Sequence, residues 1–462
     1  MTTTLQTALD YARAHAADFE GYYLNLLRIP SISTLRDHAQ DVERAAAWLI
    51  TFMQRIGCQR AEMFRKPGCL PLVYGEWNGA GPDAPTVLVY GHYDVQPAEM
   101  ADGWETDPFQ PVVKEGRVYA RGALDSKCHV VAHLSALESL IAAGGPVNVK
   151  VLFEGEEESG SAHIFEFVKA NADLLRSDGV VISDGSMPDE NQPVLVYGLR
   201  GISTMEVIVQ GPGRDLHSGH YGGTVHNPVQ ALVEMLAQLH DADGRVTVPG
   251  FYEAVRPLDE AERARLAQAL PHVQAEWGAV TGAPQPWGEP AYALNERIGA
   301  RPTLEINGIA GGYAGEGFKT VLPARATAKI SCRLVPDQQP EAIVRQVRDH
   351  LRALAPPTVR VDVRVIDTGA PGVLLDPATP AMQAVVAAYE AGWGTRPILT
   401  REGGSVPVVA AFAAALDAPL VLMPFGYKGG GAHGPNEYMV LEMFHKGIAT
   451  ALHFYDNLAA AE

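Results

Sequence analysis

Five polar clusters in this chain sit where apolar runs stop. "VLVYGHYDV" closes on His92 and Asp94, and "VKVLF" runs into "EGEEESGS", with Glu154, Glu156, Glu157 and Glu158. "GVVIS" is followed by Asp184, and the apolar "PLVLMPF" precedes a glycine loop, "GGGAHGPNEY", that carries His433. The fifth, "ARGALDSKCH", puts Asp125 between a hairpin signature and a helix. Two imidazoles and several carboxylates suit borderline or hard divalent cations such as zinc and manganese. One cation cannot use them all. Two cations sharing a carboxylate can, and such a pair clamps a water and polarises a carbonyl. His92 and Asp94, two apart at a strand end, face the same side, and a carboxylate beside an imidazole fixes its tautomer, as around a metal-bound histidine.

Each residue has a plainer reading. Asp125 could cap a helix, Asp184 could be a turn residue, and His433 could belong to a surface loop. Their occurrence together, at the ends of separate strands, is what favours metal. Other features point elsewhere. His129 and His133 in "HVVAH" have the spacing of a zinc helix but lack its glutamate, and read as a core or helix-face pair. "GGGAHG" matches a dinucleotide fingerprint, but no later strand with an acid follows it. Ser405 in "REGGSVP" reads as a helix cap or a substrate contact, since no His/Asp pair is assigned to activate it.

The elements that must position these residues alternate. Helical periodicity covers 3–28 and 40–56; strands, a hairpin at Glu115-Gly116 and helices near 125–143 and 160–175 follow. This predicts an α/β layer with a mostly parallel sheet flanked by helices. Near 197–203 the pattern changes to strictly alternating strands, as in a half-exposed sheet. The α/β character resumes near 375 with helices 378–391 and 405–416 and a C-terminal helix from 437. The expected architecture is a catalytic domain, 1–202 and 371–462, interrupted by a smaller α+β domain, 203–370. A chain of 462 residues suits two domains. With 47% hydrophobic and 19% charged residues it reads as globular, and a net charge of −18 disfavours nucleic acid as a partner. Four scattered cysteines, no signal peptide and no long apolar run predict a reduced, cytoplasmic setting without membrane contact.

The ordered segments "GHYDVQP", "ARGALDSK", "EGEEESGS", "ISDG", "YGLRGI", "DLHSGHYGG", "KTVLPARATAKISCRLVP", "REGGSVP" and "GAHGPNEY" resemble the M20 family of metallopeptidases, in its cytosolic dipeptidase and carnosinase-like branch. The resemblance covers nearly the whole chain. It implies two divalent metal ions, zinc first and manganese second. His92 and Asp184 would hold one, Glu158 and His433 the other, with Asp125 bridging. Asp94 would orient His92, and Glu157 would be the general base. The inserted domain resembles a lid and dimerisation domain. It implies a homodimer in which His217 reaches the partner active site, while Thr320, Arg333 and Ser405 hold the carboxylate of a small peptide. Arg suits that task because its planar fork pairs bidentately. Where the family often has Asp-Asp-Lys-Gly, this chain has Asp125-Ser126-Lys127-Cys128, which keeps the ligand. The reading is a dinuclear dipeptidase; the alternatives are an N-acyl amino-acid amidohydrolase on the same scaffold and an inactive, metal-free binding protein.

Overall fold

The computed structural model describes residues 2–460. By contact it divides into two compact units. The first holds the described residues up to Tyr197, Leu375–Leu399 and the chain from Ala411 on; the second holds Gly198–Leu374 and Thr400–Ala410. The segment 400–410, assigned from sequence to the first domain, thus packs with the second.

The first unit is built on a six-stranded sheet in the order Arg60–Phe64, Leu72–Trp77, Asn148–Glu154, Thr86–His92, Gly179–Ile182, Leu420–Leu422. The two outer pairings on the Arg60 side are antiparallel and the remaining three are parallel. The parallel strands are continuous apolar runs because both faces are covered; Val87–His92 is buried throughout. Parallel neighbours end together: His92 is the register partner of Glu154, and Tyr90 of Ile182. The carboxyl ends of three strands therefore open at one edge, where sites form in such sheets.

The helix Lys127–Ala143 is buried from Lys127 to Leu137. It is an interior helix without a polar face, which accounts for histidines on it. Its N-cap is Ser126, not Asp125, so the capping reading of Asp125 fails. Two other expectations need correction. Residues 3–28 form two helices, Thr3–Ala14 and Ala16–Leu27, broken at His15. The C-terminal helix starts at Leu441, because Tyr438–Val440 is a strand paired with Arg117–Tyr119 of the hairpin.

The second unit carries a four-stranded antiparallel sheet in the order Thr303–Gly311, Arg325–Leu334, Gly201–Gln210, Arg360–Ala370. Arg325–Leu334 alternates strictly between buried and more exposed residues. Met205, Val207, Val209, Ala328, Ile330 and Cys332 line one face, in a core with residues of helices Pro228–Leu236 and Pro340–Leu354. The intervening residues, such as Arg333, lie on the other face. No helix among the described residues is long and apolar enough to cross a membrane.

Candidate metal centre

Asp94 organises one side of the centre. His92 is the last residue of its strand and is fully buried. Its Nδ1 lies 3.3 Å from Asp94 Oδ1 and 3.2 Å from the Asp94 carbonyl. The same carboxylate accepts the backbone N–H groups of Glu157 (3.2 Å) and Glu158 (3.0 Å), which open the short helical turn Glu157–Ser159. One buried acid thus fixes an imidazole and caps the turn that presents two further acids.

The other nitrogen of His92, Nε2, points at carboxylates: Asp125 Oδ1 at 3.1 Å and Asp184 Oδ1 at 3.8 Å. Asp125 Oδ2 lies 3.1 Å from His433 Nε2, which lies 3.2 Å from Glu158 Oε2. Two clusters result, His92–Asp125–Asp184 and Asp125–Glu158–His433, each with ligand atoms within 4.8 Å of one another. Asp125 belongs to both. The donor set is oxygen plus imidazole, suited to zinc or manganese. Glu158 Oε1 is buried with no hydrogen-bond partner among the described residues, although Oε2 accepts from Gln96 Nε2 at 2.7 Å. An orphaned buried carboxylate oxygen is costly unless something positive meets it. The residues therefore fit a pair of divalent cations.

The electrostatics agree. Burial works to raise the Asp125 pKa, but hydrogen bonds from His433 and His92 overcome it and hold the carboxyl well below its usual range. Burial works to lower the His92 pKa, and hydrogen bonds to Asp125, Asp184 and Asp94 carry it well above 6.5. Hydrogen bonds to Asp125 and Glu158 lift His433 to about 10. Glu157 is pushed up to about 7 by burial, with His92 opposing and the charges of Asp184, Glu158 and Asp94 adding. Its carboxyl makes no hydrogen bond among the described residues.

The remaining glutamates of the run have structural work. Glu156 accepts from Leu70 N–H (2.9 Å) and from His163 N–H in the first turn of helix Ala162–Ala170. Glu154 is fully buried and accepts from Ser161 Oγ at 2.7 Å; burial pushes its pKa up to about 8 despite that hydrogen bond.

Two residues escaped sequence reasoning. Glu437 is fully buried and accepts from the N–H groups of Gly122 (3.0 Å), Leu124 (2.7 Å) and Asp125 (3.0 Å). It also pairs with Arg121 at 2.6 Å, and Arg121 Nη2 donates to the carbonyl of His433 at 3.1 Å. His433 is in the left-handed region (φ 63°), uncommon for a residue with a Cβ. The Arg121–Glu437 pair ties the loop carrying Asp125 to the loop carrying His433. Their only signal was position: an arginine and an acid inside segments already singled out, each four residues from a candidate ligand.

His129 and His133 are core residues. His129 Nε2 accepts from Phe425 N–H at 3.0 Å, so its proton sits on Nδ1, which faces Ser126 Oγ at 3.0 Å. His133 packs on the Phe425 ring. In the second unit the candidate substrate residues form two pairs. His217 and Val321 are cross-strand partners, and Thr320, next in sequence, accepts Ser218 N–H at 3.1 Å. Arg333 Nη1 donates to Ser405 Oγ at 2.9 Å. Helix Pro407–Ala415 begins two residues beyond Ser405.

Residues 88–457 match the model of peptidase family M20/M25/M40. The chain belongs to that family and is an enzyme of the metallohydrolase class. It is 37% identical over 391 residues to the Cys-Gly metallodipeptidase DUG1 of Saccharomyces cerevisiae, covering 82% of this chain and 81% of that protein. To the Beta-Ala-His dipeptidase of Homo sapiens it is 31% identical over 450 residues, covering 94% and 88%. Among solved structures, human carnosine dipeptidase 1 superposes with a TM-score of 0.78 at 30% identity, covering 99% of both chains. The dipeptidase Dug1p of S. cerevisiae gives the same score and identity, covering 100% of this chain and 99% of that one.

Proposed function

We propose that this enzyme is a dinuclear metal-dependent dipeptidase acting on dipeptides or short peptides with a free C-terminal carboxylate. The observation that carries the reading is Asp125, whose two oxygens each meet a different imidazole inside a different ligand cluster. His92 and Asp184 would hold one cation, Glu158 and His433 the other, and Asp125 both. When bound, the cations supply Lewis-acid polarisation of the scissile carbonyl and acidify the attacking water. Zinc is the first assignment and manganese the second.

Asp94 holds His92 in the orientation that turns Nε2 toward the centre and holds the turn that carries Glu157. Glu157 has no side-chain partner to displace. A carboxylate free of hydrogen-bond partners among the described residues, beside the two ligand clusters, can accept a proton from the attacking water and return it to the leaving amine. Arg333 and Ser405 would receive the substrate carboxylate together with Thr320. We assign the second unit a lid and dimerisation role, with His217 serving the partner subunit's site, in a homodimer. Four free cysteines support a cytoplasmic setting.

The two relatives act, by name, on Cys-Gly and on β-Ala-His, and these head the substrate panel. Hydrolysis of dipeptides with added zinc or manganese, its loss on chelation, and slower turnover of N-acyl amino acids are the expected outcome. Preference for N-acyl amino acids would shift the assignment to an amidohydrolase. Absence of any dipeptide hydrolysis with either metal would sink it.

A further inference from the structure

Arg200, just before the strand Gly201–Gln210 of the second unit, grips the loop that carries Ser405. Its backbone N–H donates to the carbonyl of Gly404 at 3.1 Å, and its Nε donates to that of Gly403 at 3.0 Å. Nη1 donates to the carbonyl of Arg301 at 3.3 Å. Arg333 approaches the same loop by donating to Ser405 Oγ, and it is the register partner of Ile202, two residues from Arg200. Two arginines thus hold three consecutive residues, Gly403 and Ser405 by their guanidiniums and Gly404 by the Arg200 backbone. The fit at Gly403 is tight: a Cβ there would stand 2.6 Å from Arg200 Nη2. Gly404 is exposed, and a Cβ there would meet nothing. Because Arg333 donates to the Ser405 oxygen, the Ser405 O–H is left to donate outward.

The charges are out of balance. Arginines buried elsewhere in the chain face carboxylates: Arg121 has Glu437, Arg301 has Glu289, and Arg401 has Glu262. Arg200 and Arg333 have no ion pair among the described residues, only carbonyl or hydroxyl oxygens. Burial pushes the Arg200 guanidinium down to about 10; the Arg333 charge adds to this and Glu305 offsets part of it. Two neighbouring, partly buried cations without a counter-ion repel one another, and an incoming carboxylate relieves that repulsion.

We propose that Arg200 is a positioning and specificity-determining residue for the terminal carboxylate of the substrate. It fixes the Gly403 and Gly404 carbonyls so that Ser405 and Arg333 aim their donors at one point, and its charge makes that point select for an anion. The inference rests on the reading of Arg333 and Ser405 as carboxylate contacts.

The test is the KM of a dipeptide against that of its C-terminal amide. Wild-type enzyme should favour the free carboxylate. In Arg200→Gln this preference should fall about tenfold, the size of one charge-assisted contact, and the change should lie in KM more than in kcat. Arg200→Lys keeps the charge and loses the fork, and should lower the preference two- to threefold, in about the proportion its geometry allows. It decides the matter if Arg200→Gln does not fold. A folded variant of either kind with the wild-type preference overturns the inference and leaves the dipeptidase reading intact. Wild-type enzyme that hydrolyses dipeptides but does not distinguish carboxylate from amide overturns both the inference and the carboxylate role of Arg333. Wild-type enzyme inactive on dipeptides overturns the dipeptidase reading and this inference with it.

Discussion

Adjacent residues in the glutamate run do different things because Asp94 ends the strand geometry there. With both backbone N–H groups fixed on one carboxylate, Glu158 turns toward His433 and Glu157 stays free. Replacing Glu157 by Gln should cut kcat by about 10³-fold while the metal content, measured by elemental analysis, stays at the wild-type level. Glu158→Gln should instead lose metal; the opposite pattern would mean the two roles are exchanged. Glu437→Gln breaks the tie to Arg121 and leaves that guanidinium buried without its charge partner. We expect about 3 kcal/mol lower stability and a 10- to 100-fold weaker metal affinity by calorimetry, at roughly these orders. Metal binding should also release protons. His92 and His433 are held protonated in the metal-free protein, so a cation must displace those protons. Affinity should therefore fall as pH drops, by about tenfold per pH unit for each proton displaced, with the released protons visible as buffer-dependent heats. Four of the five residues that cluster here were legible because each ends or follows an apolar strand, and Asp125 because it follows a hairpin. Glu437 was not, because three of its partners are backbone N–H groups, and no side-chain pattern announces an acceptor of those.

At the level of elements, the interior helix Lys127–Ala143 sets a pH response away from the centre. Burial pushes His129 down to about 4 and His133 down to about 3. Both stay neutral in the fold while the unfolded chain takes up protons below about 6.5. Stability present above pH 6.5 is lost as pH falls, by about 2 kcal/mol per histidine between pH 6.5 and 5. In urea melts His133→Leu should lose about 2 kcal/mol less stability than wild type on going from pH 6.5 to 5; an unchanged difference would place the acid sensitivity elsewhere. Five of the six strands in the main sheet of the first unit were readable as apolar runs with Gly or Pro at their borders; Arg60–Phe64, which carries two charges, was not. Their directions were only partly so: length and composition do not tell Leu72–Trp77, which runs antiparallel, from its parallel neighbours. Tyr438–Val440 was read as helix because three residues carry too little periodicity, and only the hairpin Val112–Tyr119, far away in sequence, makes them a strand.

For the whole molecule, cations that bind the folded state alone add stability by mass action, about 4 kcal/mol at a thousandfold excess over Kd. Zinc or manganese should raise the melting temperature by several degrees, chelation should reverse the shift, and Glu158→Gln should blunt it. The same cradle has a consequence for the order of assembly. The strand Leu420–Leu422 closes a sheet against Gly179–Ile182, and Glu437 reaches back to Arg121. Between them lies a unit whose four-stranded sheet is complete by Ala370. Contacts this distant in sequence form late, since the intervening chain must be ordered first. On the ribosome, a chain stalled between residues 375 and 430 carries the finished inserted sheet and five of the six acids and imidazoles around Glu157, namely His92, Asp94, Asp125, Glu158 and Asp184. It lacks His433 and the acid that braces Asp125. A chain cut short before residue 430 should therefore bind metal poorly and cut no dipeptides, although its inserted sheet is complete.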